Sequence, residues 1–238
     1  MFSMTDVALK FHNNSPVLTR FYNSTERLHT GTGNSCDSLP RHMGLFGRHM
    51  IANYERVLIR PETAGQDAIE VDGTGARNTW AYSSTTGSTE SFTSPDGIQR
   101  TLTRDTSEDA FYMVTPDYMT FRFKKCDKVT GSGTPDYYFY RLDYIECKNG
   151  TRVYIEWENK DTGVDSISRY RIDQISVSTD QGNKKTWVLR FRYTIWEDST
   201  NSDAFHLVRT MQDKTGREWR YEYDDDGRLI KVSYPDGC

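Results

Sequence analysis

The chain has 238 residues, a formal net charge of −4 at pH 7 and 13% aromatic residues, led by 15 Tyr. Disordered chains are poor in aromatic residues, so this composition indicates a folded protein that can bury a substantial core. A nucleic-acid-binding protein would be expected to show a basic balance or a basic stripe, and the run Arg190-Phe191-Arg192-Tyr193 is interpreted as a strand with its cations facing solvent, so we expect no nucleic-acid partner. No apolar stretch approaches the roughly 20 residues of a membrane-spanning helix.

The N-terminal stretch MFSMTDVALKFHNN lacks the basic and apolar regions of a secretory signal peptide. Residues 1–64 are predicted to form a β-structured lead-in segment, with a loop at 30–40, and residues 65–238 are predicted to form stacked β-hairpins. Ser, Thr, Gly and Asp predominate between 62 and 109. This composition predicts short strands with long connections.

Apolar and polar residues alternate along five segments of the second half, and no segment shows the period of an amphipathic helix. The alternation predicts half-buried antiparallel strands, and hence an all-β fold that is a twisted strip or sandwich with little or no helix. The residues expected to share a face are Met119, Phe121 and Phe123; Tyr138, Tyr140, Leu142 and Tyr144; Val153, Ile155 and Trp157; Trp187, Leu189, Phe191, Tyr193 and Ile195; and Trp219, Tyr221 and Tyr223.

Turn-forming residues separate these segments. Asp-Gly and Asn-Gly pairs favour the positive φ of two-residue hairpin turns, so each pair predicts a hairpin. The turn pairs are Asp72-Gly73, Asp96-Gly97, Asn149-Gly150, Thr215-Gly216, Asp226-Gly227 and Asp236-Gly237, together with Gln181-Gly182-Asn183.

Four cysteines, Cys36, Cys126, Cys147 and Cys238, include no C-x-x-C pair, so zinc and thioredoxin chemistry have no support. Cys126 and Cys147 stand at corresponding ends of two predicted strands. They either face each other or are free buried thiols, and the free-thiol interpretation is preferred.

Motifs for metals and nucleotides fail on spacing. The acidic run Asp224-Asp225-Asp226-Gly227 would need an acid at Ser233 to be an EF-hand loop. None of the glycine pairs completes G-x-G-x-x-G, and the five His residues show no H-E-x-x-H spacing. We therefore expect no cofactor and no metal site. A pair of catalytic carboxylates from distant strands stays open, but the sequence nominates none.

The C-terminal residues carry a family resemblance. Tyr223-Asp224-x-x-Gly227-Arg228-Leu229-Ile230-x-Val232, followed by Tyr234-Pro235-Asp236-Gly237, resembles the YD repeat of the RHS (rearrangement hotspot) family. Asp213-x-x-Gly216-Arg217 with Trp219-x-Tyr221 is similar to the strand that leads into such a repeat. The resemblance gives a structural role to Gly216, Arg217, Trp219, Tyr221, Tyr223, Asp224, Gly227, Arg228, Leu229, Tyr234 and Gly237.

A second resemblance lies near the start of the chain. Leu18-Thr19-Arg20-Phe21-Tyr22-Asn23-Ser24, then Phe46-Gly47 and Tyr54-Glu55-Arg56-x-Leu58, is similar to the segment that precedes the repeats in many RHS proteins. Arg48-His49 follows Phe46-Gly47 where the family usually has Gly-Trp. The residues taken as the lead-in motif are Arg20, Tyr22, Asn23, Gly47, Tyr54 and Leu58.

The resemblance implies hairpins that stack edge to edge into a spiralling sheet, often as a hollow shell around a toxin or other cargo. No single hairpin can bury its aromatic face alone, which agrees with stacking. We therefore expect a non-enzymatic structural protein of the RHS type, a β-sheet scaffold or shell part outside the producing cell.

Two alternatives remain at this point. The first is a surface adhesin or self-assembling filament subunit that binds carbohydrate through exposed Tyr and Trp. The second is a carbohydrate-active enzyme on a β-sandwich. The expected partners are other protein chains, either further copies or the rest of an RHS shell, since an unpaired strand edge near Arg228–Tyr234 is a template for pairing. The expected location is extracellular or at the cell surface.

Overall fold

The computed structural model describes residues 2–8, 17–22, 45–47, 50–129, 136–159, 170–180, 184–197 and 204–235. These residues form 17 strands and no helix, which confirms the all-β prediction. The lead-in strands are β1 (Phe2–Ala8), β2 (Val17–Tyr22) and β3 (Met50–Ala52). The next eight are β4 (Val57–Pro61), β5 (Ala68–Val71), β6 (Arg77–Thr86), β7 (Thr89–Thr93), β8 (Thr101–Asp105), β9 (Ala110–Val114), β10 (Thr120–Val129) and β11 (Tyr137–Glu146). The last six are β12 (Arg152–Asn159), β13 (Tyr170–Ser178), β14 (Thr186–Glu197), β15 (Ala204–Asp213), β16 (Glu218–Tyr223) and β17 (Leu229–Ser233).

Strands β4 to β11 close into a ring. Each pairs antiparallel with the next, and β11 pairs back onto β4, with Phe139 opposite Ile59. A closed ring of eight strands is just wide enough for side chains to fill it. Its core consists of Leu58, Ala68, Trp80, Phe92, Leu102, Phe111, Met113, Phe123, Tyr140 and Leu142, all buried.

The sheet branches at β11. One edge of this strand pairs with β10 along its whole length, while the other edge is divided between two partners. Residues 137–141 pair with β4, and residues 144–146 pair with β12. From this branch point, β12 to β17 continue as an antiparallel strip that leaves the ring.

The lead-in strands form a separate sheet in the order β1-β2-β3. Ile51 of β3 belongs to a small buried cluster with Val57, Ile59, Val71 and Phe139. These ring residues alternate with those of the main core, so the cluster lies on the outer face of β4. The lead-in therefore packs on the outside of the ring.

β-bulges correct the predicted sharing of faces. A register shift between Arg122 and Phe123 leaves Asp143 of β11 without an opposite residue in β10. Tyr144 therefore lies beside Arg122, on the other face of the sheet from buried Leu142. An extra residue reverses the alternation of every side chain beyond it in its own strand, so strict period-two reading fails at Tyr144. A second shift, between Arg192 and Tyr193, places its extra residue, Arg209, in β15. Strand β14 keeps its alternation as far as Tyr193, which packs against the core, but Ile195 is 58% exposed, so its predicted burial is wrong.

The turns also differ from the two-residue prediction. Asp213 N donates to Arg217 O, and Gly216 N donates to Asp213 O. This pattern encloses three residues between the strands, with a left-handed Gly in the third position, as in a type I turn followed by a G1 bulge. The same pattern recurs after Asp72, Cys147 and Asp224. In the first of these turns the positive φ belongs to Gly75 rather than to Gly73.

Residues 62–109 are more regular than predicted. Strand β6 has 10 residues, and only Gly87 and Ser88 connect it to β7. The prediction of long connections is therefore wrong there, because Thr-rich segments pair well inside a closed ring. The predicted domain division at residue 64 falls between β4 and β5, which are paired neighbours in one sheet, and it stays a prediction.

Cys126 and Cys147 are free, half-buried thiols. They lie near opposite ends of β11, because Cys126 Sγ donates to Phe139 O whereas Cys147 follows Glu146. The proposal that they face each other is wrong, since strands β10 and β11 run antiparallel. Cys36 and Cys238 lie outside the described residues.

Candidate functional site

The lead-in segment contacts the strip of β12 to β17 at strand β15. This strand pairs with β16 only through residues 210–212, so β16 does not cover the edge of its first half. Val208 N donates to Leu45 O at 2.7 Å in that half. The lead-in segment 45–47 thus occupies a strand edge beside the repeat, and residues more than 160 positions apart become neighbours.

Aromatic packing holds the junction together. Phe46 contacts Tyr221 edge to face, with ring centroids 5.1 Å apart. The guanidinium of Arg20 lies 5.6 Å from the Phe46 ring and 5.4 Å from the Tyr221 ring. All three side chains are buried, and a desolvated cation over an aromatic ring stabilises by about 2 kcal/mol.

Gly47 allows the backbones of the lead-in and of the repeat to approach each other. Gly47 has φ of 103°, and a Cβ there would lie 2.6 Å from Gly227 O and 3.1 Å from the Tyr223 ring. The hydroxyl of Tyr223 donates to Val208 O at 2.7 Å, on the residue whose amide contacts Leu45. Gly47, Tyr223 and Gly227 were selected from two separate motifs, and the fold brings them into contact.

The Asp-x-x-Gly-Arg turns are stabilised by their first residue. Asp213 Oδ1 accepts from Thr215 N and Arg217 N, and Asp213 Oδ2 accepts from Arg217 Nε at 2.7 Å. Burial raises the pKa of this carboxyl, but these hydrogen bonds outweigh it and lower the pKa below its usual value. Asp224 repeats the arrangement, accepting from Asp226 N and Arg228 N.

The other motif residues fall in separate places. Trp219 is buried in the strip, whereas Leu229 and Tyr234 pack against the core from its margin. Tyr54 is buried, and Leu58 lies inside the ring rather than at the junction. The backbone of Tyr22 pairs with Met50. Asn23 and Gly237 lie outside the described residues.

Sequence reasoning missed Glu55, which organises the junction. Its carboxylate accepts from Leu45 N at 2.9 Å and from Ala52 N at 2.7 Å. Burial raises the pKa of Glu55 to about 7, against the opposing effect of these hydrogen bonds and of Arg141. The only sequence signal was its place between Tyr54 and Arg56 in the lead-in motif.

Glu55 predicts a pH dependence of stability. The folded protein holds this proton more tightly than the unfolded chain, whose Glu has a pKa near 4.5. The resulting stabilisation is fully present below about pH 4.5 and is lost as the pH rises through about 7. The Glu55→Gln variant lacks this dependence, so the wild type should lose roughly 3 kcal/mol relative to it across that range.

Urea unfolding of both proteins at matched pH values measures this difference. Groups such as Asp109 titrate in both proteins and cancel in the subtraction. A wild-type minus variant difference that stays constant with pH would contradict the assignment to Glu55.

Two buried ionic clusters inside the ring were also missed. Glu70 is fully buried and pairs with Arg100 at 3.1 Å and Arg56 at 3.5 Å, and it accepts from Trp80 Nε1. Glu90 pairs with Arg60 at 2.9 Å and Arg104 at 3.1 Å. Buried charges require such partners, but sequence alone does not show which strands supply them.

Asp109 extends the second cluster. It accepts from Arg104 at 2.5 Å and from the Tyr140 hydroxyl at 2.8 Å, and Lys125 Nζ lies 3.0 Å away. Partial burial raises its pKa, but these contacts prevail and lower the pKa to about 2. Glu90 and Asp109 are thus both bound to Arg104.

The predicted positions give little support to a metal site or to carbohydrate binding. Asp226 pairs with Arg228 at 2.8 Å, and within the described part of the chain no cluster of three His, Cys, Asp or Glu residues could hold a metal ion. Trp80 and Trp219 are buried, and Tyr118 is the one aromatic residue among the exposed large hydrophobic side chains described.

The described segments also contain no helix that could span a membrane.

Comparison with protein families identifies the tail. Residues 203–237 match the family model of the RHS repeat. This match contains β16, β17 and both Asp-x-x-Gly-Arg turns, so the resemblance read from the sequence is confirmed there. A comparison with curated protein sequences finds no match.

Solved structures share the fold over nearly the whole chain. The N-terminal domain of the effector protein SpvB from Salmonella typhimurium strain LT2 is 10% identical, with a TM-score of 0.58 over 96% of this chain and 98% of that domain. The Tc holotoxin pore of Photorhabdus luminescens is 12% identical, with a TM-score of 0.59 over 99% of this chain. TcdB2-TccC3 is also 12% identical, with a TM-score of 0.58 over 98%. This chain spans 15% of the latter two structures.

Proposed function

We propose that this protein is a non-enzymatic scaffold of the RHS type, which forms part of a β-sheet shell outside the producing cell. The observation that carries the proposal is the junction of the lead-in with an RHS repeat on a strip that continues from a closed ring. Tc toxin and SpvB structures of similar fold support a role in the assembly of secreted or cell-surface proteins. The partners are other protein chains.

The large sheet favours a scaffold over a filament. Closure of β10 onto β11 covers one end of the sheet, while β17 pairs only with β16 among the described residues. Edge-to-edge growth of a filament from this sheet needs two open edges, whereas a strip that starts from a closed ring adds strands at one end only.

Size-exclusion chromatography with negative-stain imaging tests this function, together with fractionation of the producing cells. A scaffold is expected as monomers or small closed particles in the medium or at the cell surface. Long polymers would instead identify a filament subunit. Retention of the chain inside the producing cells would overturn the extracellular role.

The edge of β17 that has no partner strand among the described residues predicts how copies associate. Ile230 is 61% exposed on this strand, and a Lys there introduces a charge that opposes edge pairing. We expect Ile230→Lys to weaken any concentration-dependent association by about tenfold in analytical ultracentrifugation. Ile195→Lys is the matched control, because Ile195 is 58% exposed on β14, which has strands on both sides. Equal weakening by both variants would show that association does not use the edge.

A further inference from the structure

The lead-in is joined to the ring by one stretch of chain. Strands β1 to β3 form a sheet of their own, and residues 53–56 connect β3 to β4. The segment 45–47 reaches the strip separately, through Leu45 on β15 and through Gly47 beside Gly227. Among the described strands, none of the lead-in sheet pairs with the large sheet. The contact of this segment with the strip can therefore open while the ring stays folded.

The backbone of Val208 shows what this contact covers. Its amide donates to Leu45 O and its carbonyl accepts from the Tyr223 hydroxyl, both at 2.7 Å. Strand β16 covers the same edge of β15 only at residues 210–212. Withdrawal of the segment 45–47 therefore leaves the amide of Val208 uncovered on a strand edge.

Glu55 connects the segment 45–47 to the lead-in sheet. One oxygen of its carboxylate accepts from Leu45 N at 2.9 Å, and the other accepts from Ala52 N at 2.7 Å. The amide of Leu45 is thus bonded to Glu55, while its carbonyl is bonded to Val208. A change of charge at Glu55, which is 2% exposed, therefore acts directly on the residue that contacts β15.

The charged and titratable groups around Glu55 come from several strands. Arg141 of β11 is the cation that acts on the Glu55 carboxyl. Burial, and after it the charge of Glu55, raise the pKa of the Tyr193 phenol on β14. Further charged or titratable groups of the junction are Arg20 on β2, Glu158 on β12, Arg171 on β13 and His206 on β15.

Release of the segment changes how tightly Glu55 holds its proton. In the docked state, burial raises the pKa of Glu55 to about 7, against the amides of Leu45 and Ala52 and the charge of Arg141. A hydrated Glu has its ordinary pKa of 4.5, so the docked state binds the proton more tightly and protonation favours docking. This advantage is complete below about pH 4.5 and is lost as the pH rises through about 7.

We propose that Glu55 is a pH-sensitive switch, which holds the segment 45–47 on β15 at acidic pH and releases it at alkaline pH while the ring and the strip stay folded. The switch goes beyond the scaffold function and does not depend on it. It also goes beyond the loss of overall stability with rising pH, because that loss does not specify which part of the chain opens first.

Amide hydrogen exchange of the full chain at pH 6 and pH 8.5, corrected for intrinsic exchange rates, tests the switch. We expect the opening constant at Leu45 and Val208 to rise about tenfold over this range, as the docked and hydrated pKa values of Glu55 require. This opening should depend weakly on urea because it exposes little surface. The amides of β8, which has ring strands on both sides, should exchange only through strongly urea-dependent unfolding. Exchange of Val208 only together with β8 would overturn the proposal, as would an opening constant that does not change with pH.

Two substitutions separate the switch from a purely structural contact. Glu55→Gln should lose the tenfold pH dependence, because an amide does not titrate. Gly47→Ala is the matched control, since it weakens docking without changing the titration of Glu55. It should raise the opening constant at both pH values and keep their ratio at about tenfold. If Glu55→Gln kept this ratio, another group such as His206 would control the opening, and the assignment to Glu55 would be wrong.

Discussion

Gly47→Ala is expected to destabilise the protein by about 2–5 kcal/mol. A left-handed φ costs a residue with a Cβ about 1–2 kcal/mol, and φ at Gly47 is 103°. The added Cβ would also lie 2.6 Å from Gly227 O, a backbone atom that cannot rotate away. Overpacking of this kind costs about 1–3 kcal/mol more. Chemical denaturation measures the sum.

Gly216→Ala is the matched control for this prediction. Gly216 has φ of 89° in a repeat turn, but no heavy atom lies within 4 Å of the added Cβ. We expect a loss of only about 1–2 kcal/mol there. Hydrogen exchange at Val208, whose amide contacts Leu45 O, should accelerate in Gly47→Ala more than in Gly216→Ala. Equal effects of the two substitutions would show that the approach of Gly47 to the repeat contributes nothing.

Glu90→Ala is expected to cost about 3–5 kcal/mol, because it removes the acid that pairs with buried Arg60 and leaves Arg104 with Asp109 alone. The side chain of Arg60 is only 3% exposed and that of Arg104 is 12% exposed, so water cannot replace the carboxylate fully. The loss should appear in urea unfolding.

A surface ion pair provides the control for the loss of stability expected in Glu90→Ala. Glu222 lies 2.7 Å from Lys231, and their side chains are 53% and 59% exposed. Exposed pairs contribute at most about 1 kcal/mol, so Glu222→Ala should be nearly neutral. If Glu90→Ala were equally mild, the cluster would have to relax into water, and the closed, filled ring would be in doubt.

Some features of the fold depend on residues close together in the chain, whereas others depend on pairing between distant strands. Alternation located the buried residues Phe121, Phe123 and Leu189, because a strand displays its pattern in its own sequence. The placement of Tyr144 was wrong, because this residue follows a bulge that strand pairing creates, and Ile195 is exposed near the end of β14. Glycine turns were found at Gly216 and Gly227, but the Asp three residues earlier, not the residue before the Gly, orders each loop.

The candidate sites depended still more on tertiary structure. Glu55, Glu70 and Glu90 are isolated acids in the sequence with no motif that nominates their partners.

The all-β class, the aromatic strands, the glycine turns and the RHS repeat at 203–237 could all be predicted from the sequence. Each of these depends on residues within one strand or one turn. The closure of the ring at β11, its branching into a strip and the contact of Gly47 with Gly227 became visible in the fold alone. Hydrogen bonding between strands selects partners far apart in the chain, and one shared edge or one bulge changes which side chains meet.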